Sequence, residues 1–203
     1  MLKSFILASL LVGIGYSPVA ANDKNEPRII GGTSATRNEF PFLVNLTPCQ
    51  HDGSCFLCGG ALIAKNWVIS AAHCYAPFSN FKDVTIRFGL HESNGTPGSI
   101  VTVDSTKVTL HPNYNTGTLQ NDIMLIEIPD GAHSIPESDW AKLTSDDFPV
   151  GQNLTVAGWG VSGNPTADSP DMPSSLLKVD VPTISDSQCT GGRSSYFYQN
   201  KIQ

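Results

Sequence analysis

Ser70-Ala71-Ala72-His73-Cys74 is the stretch on which the reading turns. The apolar run 67–70 leads straight into it, so a histidine and a cysteine fall within one turn of the end of a candidate strand. Outward from this point, short apolar runs alternate with turn residues in both directions. The candidate strands are 42–46, 61–63, 67–70, 84–88, 100–103, 108–110, 124–128, 154–159 and 176–181. Leu177-Lys178-Val179-Asp180-Val181 alternates as a half-buried strand should. Asn94-Gly95, Asp130-Gly131 and Gly163-Asn164-Pro165 punctuate the runs as turns. With 18 glycines and 14 prolines in 203 residues, the chain is supplied for many short strands and not for a helical bundle. Helical periodicity is confined to short pieces: one turn over Ser70 to Cys74, and a short helix capped by Ser185-Asp186-Ser187 and running into Cys189. The pattern predicts an all-β protein.

Composition narrows the function. Only 15% of the residues are charged and 40% are hydrophobic, which builds a core and excludes a disordered chain. The net charge is −6, with no Lys/Arg cluster, so a nucleic-acid partner is not expected. Lys3, the apolar run 5–14 and the small residues Val19-Ala20-Ala21 read as a signal peptide over 1–21. That run is too short to span a bilayer, and no later stretch has 18 consecutive apolar residues. The expectation is a secreted, extracellular protein with no membrane partner. Its cysteines are then read as disulfides and not as metal thiolates. There are five, Cys49, Cys55, Cys58, Cys74 and Cys189, an odd number that leaves one without a partner in the chain. Cys55-x-x-Cys58 has no second CxxC or HxxxH pair at a usable distance, so no metal and no cofactor are expected.

Four patterns occur in one order: Arg28-Ile29-Ile30-Gly31-Gly32, Ser70-Ala71-Ala72-His73-Cys74, Asn121-Asp122-Ile123-Met124-Leu125 and Gly158-Trp159-Gly160. Each alone has a plain structural explanation, as a solvated tail, a core histidine, a turn or a packed aromatic. In conjunction, and with Cys58-Gly59-Gly60-Ala61-Leu62-Ile63 and His111-Pro112-Asn113-Tyr114 beside them, they resemble the trypsin/chymotrypsin family of serine endopeptidases over residues 29–203.

The resemblance implies two antiparallel β barrels, with His73 and Asp122 both from the first and the second barrel incomplete in this chain. It implies that His73 is the general base and then general acid, and that Asp122 fixes its tautomer and stabilises the imidazolium. The order His before Asp is that of this family. It implies an activation propeptide over 22–28, cleaved between Arg28 and Ile29 so that the freed ammonium of Ile29 turns inward to a buried carboxylate partner. It pairs Cys58 with Cys74 across the base and gives Cys189 a partner beyond Gln203, so that Cys189 is unpaired here. Cys49 and Cys55, six apart, are left as a candidate local pair whose connectivity the sequence does not fix. Implied partners are protein or peptide substrates, an activating protease and protein inhibitors.

The nucleophile is missing. The family's Gly-Asp-Ser-Gly-Gly segment does not occur in the 203 residues: Gly160-Val161-Ser162-Gly163-Asn164 has Asn164 where the final glycine is needed, and Arg193-Ser194-Ser195-Tyr196 has no glycine after its serines to bring an oxyanion amide close. The expectation is a chain truncated at its C-terminal end and inactive alone. The alternative is a non-catalytic homologue acting as a protein-binding or inhibitor module. Unchanged His73 and Asp122 favour the enzyme. Asn45, Asn94 and Asn153 open N-glycosylation sequons. Glu92 alone is acidic between Gly89 and Val103, a poor ligand set for calcium. His51, His91, His111 and His133 are assigned no role.

Overall fold

Along Phe81–Phe88, Val84, Ile86 and Phe88 are buried while Thr85 and Arg87 between them are only partly covered. Alternation of this kind marks a strand with one face on a core. The structure, a computed structural model, describes residues 32–75, 80–145, 148–160, 173–185 and 187–188. In chain order the strands are β1 (Thr33–Ser34), β2 (Leu43–Gln50), β3 (Cys58–Ala64), β4 (Trp67–Ser70), β5 (Phe81–Phe88), β6 (Ser99–Asp104), β7 (Val108–Leu110), β8 (Met124–Glu127), β9 (Asn153–Gly158) and β10 (Leu177–Pro182). All pairings between them are antiparallel. One sheet has seven strands in the order β6-β5-β2-β3-β4-β8-β7, and a second has three in the order β1-β10-β9. The expected all-β class is what the chain adopts.

The seven-stranded sheet packs one face into a single core. Val44 and Leu46 from β2, Leu62 from β3, Val68 from β4, Val84, Ile86 and Phe88 from β5, and Met124 and Ile126 from β8 form one buried cluster. Burial of such side chains stabilises the fold by roughly 1.5–3 kcal/mol each against leaving them in water. Gly60 sits where two elements touch. A Cβ there would meet the Ile69 carbonyl oxygen at 2.9 Å and the Leu46 and Val44 side chains at 3.1 Å.

Every strand expected from the sequence is present, with the ends adjusted. The largest difference is β2, which continues past Leu46 through Pro48 to Gln50. A proline in a strand costs a ladder donor. Here the Pro48 carbonyl accepts from Phe56 N–H at 3.0 Å, so that side of β2 faces the stretch entering β3, where regular pairing has stopped at Leu46↔Cys58. The missing N–H therefore falls where the ladder has already opened. The helical turn expected over Ser70 to Cys74 is a single 3-10 turn, Ala72–Cys74. At Ser185 the hydroxyl accepts from Gln188 N–H at 3.3 Å and the Gln188 side chain accepts from Ser185 N–H at 3.0 Å, a reciprocal cap. Residues 1–31, with Arg28 and Ile29, and Cys189 lie outside the described residues.

A seam joins the two sheets. The His91 carbonyl accepts from Leu176 N–H at 2.8 Å and from the Trp159 indole at 3.1 Å, and Ser93 N–H donates to the Ser174 carbonyl at 2.7 Å. Ala35, Leu90, Trp159 and Leu176 form a second buried cluster at this junction. Trp159, between two glycines, is thus a packed aromatic whose polar edge is satisfied across the seam.

Candidate active site

His73 and Asp122 are 49 residues apart, and the register of one ladder brings them together. β4 pairs with β8 so that Ser70 lies opposite Met124. His73 is three residues beyond that point on one strand and Asp122 two residues before it on the other. In an antiparallel pair these positions share one end of the ladder. Two local devices then turn the side chains toward each other. Ala72–Cys74 winds into the 3-10 turn immediately after β4. On the other side Asn121 adopts φ 56°, and its carbonyl accepts from Ile123 N–H at 2.8 Å, bending the chain around Asp122. The left-handed region is open to asparagine at little cost. The Asn121 side chain anchors the bend by donating to the Asn113 carbonyl at 2.9 Å.

One carboxylate holds two groups of the same histidine. Asp122 Oδ1 accepts from His73 N–H at 2.7 Å, and Asp122 Oδ2 lies 2.7 Å from His73 Nδ1. The ring and its backbone are therefore oriented together. A carboxylate accepts only, so in the neutral ring Nδ1 carries the proton and the Nε2 lone pair is left to take one. The Asp122 side chain is 16% exposed and the His73 ring 52% exposed, so the pair joins a sheltered anion to an imidazole open to a reacting partner. Next to Nε2, at 3.8 Å, is Cys74 Sγ, a disulfide sulfur with no proton to give. Tyr114 packs near Asp122. Burial, and then the charge of Asp122, push its phenol pKa up, so it stays neutral beside the carboxylate.

One of two disulfides adjoins the pair. Cys58 at the head of β3 is bonded to Cys74 beside His73, and Cys49 is bonded to Cys55. Cys58, His73 and Cys74 bring ligand-type atoms within 4.8 Å of one another, but both sulfurs are in the disulfide and cannot bind as thiolates. Beyond Cys58 the wall of β2 and β3 faces Ala157–Gly160 across a cavity of about 570 Å³. His73 and Asp122 do not line this cavity; its link to the pair is Cys58, which is disulfide-bonded to Cys74 next to His73.

Of the three sequon asparagines, Asn94 and Asn153 are exposed. Asn45 is not. It is 8% exposed within β2, and its Oδ1 accepts from Arg87 at 3.5 Å.

The family model described as Trypsin matches residues 29–203. The chain belongs to the trypsin family. Among curated relatives of this trypsin-family chain, "Trypsin" of Xenopus laevis is 34% identical over 186 residues, spanning 92% of this chain and 69% of that protein. "Cationic trypsin-3" of Rattus norvegicus is 33% identical over the same shares. "Trypsin I-P1" of Gallus gallus is 31% identical over 98% of this chain and 74% of its own length. Among solved structures, one described as "Structure of GrC" superposes with a TM-score of 0.70 at 24% identity, over 83% of this chain and 71% of that chain. That likeness concerns the fold, the trypsin-like pair of antiparallel β barrels. Proteases of the trypsin family are serine-type endopeptidases acting on proteins or peptides. Sequence reasoning attached no role to Asn121, Asn113 or Tyr114. The signal was present only in Asn121, a left-handed-tolerant residue directly before the acid.

Proposed function

We propose that this chain carries the general-base half of a secreted serine endopeptidase, made as a zymogen and activated by another protease cutting between Arg28 and Ile29. The observation that carries the reading is the double grip of Asp122 on His73, 2.7 Å to the backbone N–H and 2.7 Å to Nδ1. A peptide carbonyl is a weak electrophile and needs an activated nucleophile. His73 Nε2 takes the proton from a serine hydroxyl as it attacks and returns it to the leaving amine. Asp122 stabilises the imidazolium in between without taking the proton. Substrates are proteins or peptides entering the cleft, and protein inhibitors that fill the same cleft are the natural antagonists. No cofactor takes part in these steps. Residues 1–21 serve as the signal peptide, 22–28 as the propeptide and 29–203 as the protease domain. Asn94 and Asn153 carry glycans where the host attaches them.

The 203 residues contain no Gly-Asp-Ser-Gly-Gly segment, so they do not hydrolyse peptides by themselves. The test reads the transcript beyond the codon for Gln203 and assays both products against a panel of peptide amides. Activity in a product carrying a nucleophilic serine, lost on His73→Ala and absent from the 203-residue chain, supports the reading. A stop directly after Gln203, or activity indifferent to His73, sinks it and leaves the protein-binding homologue.

A further inference from the structure

Cys55 and Cys58 are separated by two residues, yet each belongs to a different disulfide. Cys55 is bonded back to Cys49 on β2, and Cys58 forward to Cys74 beside His73. Phe56 and Leu57 are therefore pinned covalently at both ends, and with Cys58–Gly60 they form one wall of the cavity that faces Ala157–Gly160. We propose that the Cys49–Cys55 disulfide is a reducible brace of this wall, cut by dithiols while the Cys58–Cys74 disulfide and the His73–Asp122 pair stay intact.

The two disulfides differ in access. Thiolate attack needs a free path to a sulfur. The outer disulfide pairs an exposed Cys55 with a half-covered Cys49, whereas the inner one pairs a half-covered Cys58 with Cys74, 7% exposed within the core cluster. The Cys49–Cys55 disulfide closes a small hairpin, His51-Asp52-Gly53-Ser54, at the point where the register of β2 on β5 shifts between Cys49 and Gln50. Among the described residues, the base of the hairpin is held by Cys49 opposite Asp83 and Gln50 opposite Phe81 on β5, together with a few backbone hydrogen bonds. Gln50 N–H donates to the Ser54 carbonyl at 2.8 Å and Gly53 N–H to the Gln50 carbonyl at 3.1 Å, both internal to the turn. His51 N–H donates to the Asn80 carbonyl at 3.0 Å, and Phe56 N–H to the Pro48 carbonyl at 3.0 Å. Leu57, 60% exposed, has little packing to keep it in place. Cutting the outer disulfide releases one end of the wall and leaves the other fixed at Cys58. In the reaction one protein S–S bond breaks and two S–H bonds form. The dithiol gives up two electrons and two protons and closes to its own disulfide.

The brace bears on the cleft of the proposed endopeptidase, but its test reads no peptidase activity and is decided separately. The full chain is titrated with dithiothreitol under native conditions, free thiols are alkylated, and each cysteine is read by peptide mapping. Amide exchange is followed in parallel over 55–60 and 67–75. Cys49 and Cys55 are expected to be alkylated at a dithiol concentration at least about tenfold below that needed for Cys58 and Cys74. Exchange over 56–60 then rises several-fold while that of His73 and Cys74 is unchanged. A Cys49→Ser, Cys55→Ser variant reproduces the exchange without reductant, and the wild-type titration stands without it should the variant not fold. Simultaneous opening of both disulfides overturns the proposal, as does unchanged exchange over 56–60 after selective opening.

Discussion

Replacing Asp122 by Asn is expected to move the proton on His73 from Nδ1 to Nε2. The carboxylate accepts from both the backbone N–H and Nδ1. An amide of the same shape has one accepting oxygen. If that oxygen stays on the backbone N–H, the amide NH2 faces Nδ1, which must then accept, and the ring proton goes to Nε2. A hydrogen bond to a charged group is worth about 1.5–3 kcal/mol. With the ring 52% exposed, water competes and the lower end applies. Losing about 1.5 kcal/mol weakens the Nδ1–H form about tenfold, and a new neutral hydrogen bond of about 1 kcal/mol favours the Nε2–H form about fivefold. The tautomer ratio should thus move by about fiftyfold. Nitrogen-15 correlation spectra of the imidazole distinguish the two tautomers directly and need no nucleophile. In a protein that carries the serine, the same exchange should lower kcat by about four orders of magnitude. Nδ1–H in both proteins, or Nε2–H in the unaltered one, would refute the reasoning.

Three further outcomes are expected. Gly60→Ala should destabilise the fold by about 1–3 kcal/mol, although alanine in a strand ordinarily gains over glycine, because the new methyl meets the Ile69 carbonyl at 2.9 Å; an unshifted denaturant midpoint would contradict this. Glu39 is held below its ordinary pKa, first by the Lys178 ammonium and then by Thr36 N–H, so its contribution is present above the unfolded-state pKa and lost as pH falls through the lower folded value. Glu39→Gln should therefore flatten the acid limb of the stability profile between those two values, and an unchanged limb in urea titrations would count against the pair. Expressed through a glycosylating secretory route, the folded protein should carry glycans at Asn94 and Asn153 and none at Asn45, read by peptide mapping before and after deglycosylation; a glycan on Asn45 would contradict its burial in β2.

The strands were legible because one-sided burial writes a period of two into residues such as Val84, Ile86 and Phe88. What stayed hidden is carried by backbone partners. β1 is Thr33–Ser34, two exposed polar residues whose strand character comes only from pairing with Lys178 and Leu177 on β10. The continuation of β2 through Pro48 was masked by a residue that reads as a breaker until its neighbours are known. At the candidate site, the residue types His73 and Asp122 were visible, but their 2.7 Å separation was not, since no local pattern encodes a contact across 49 residues. It depends on Ser70 lying opposite Met124. The left-handed bend at Asn121 and the phenol of Tyr114 are likewise consequences of that meeting and leave little trace in spacing.

The Ser70↔Met124 register has a further consequence for how the chain tolerates change. The dyad is stored as an alignment of two strands, so residues can be inserted or deleted anywhere between Tyr75 and Val108 that keeps β5 and β6 paired without moving one catalytic-type side chain against the other. A single residue inserted between Asp122 and Met124, or within β4, acts quite differently. It advances one partner by about 3.3 Å and turns every side chain beyond it to the opposite face. The cluster around Met124 and Ile126 resists such a slip, since those side chains would leave the core. Packing deep in the sheet thus serves as the error check on a contact at its edge, and variation in length is steered into the loops.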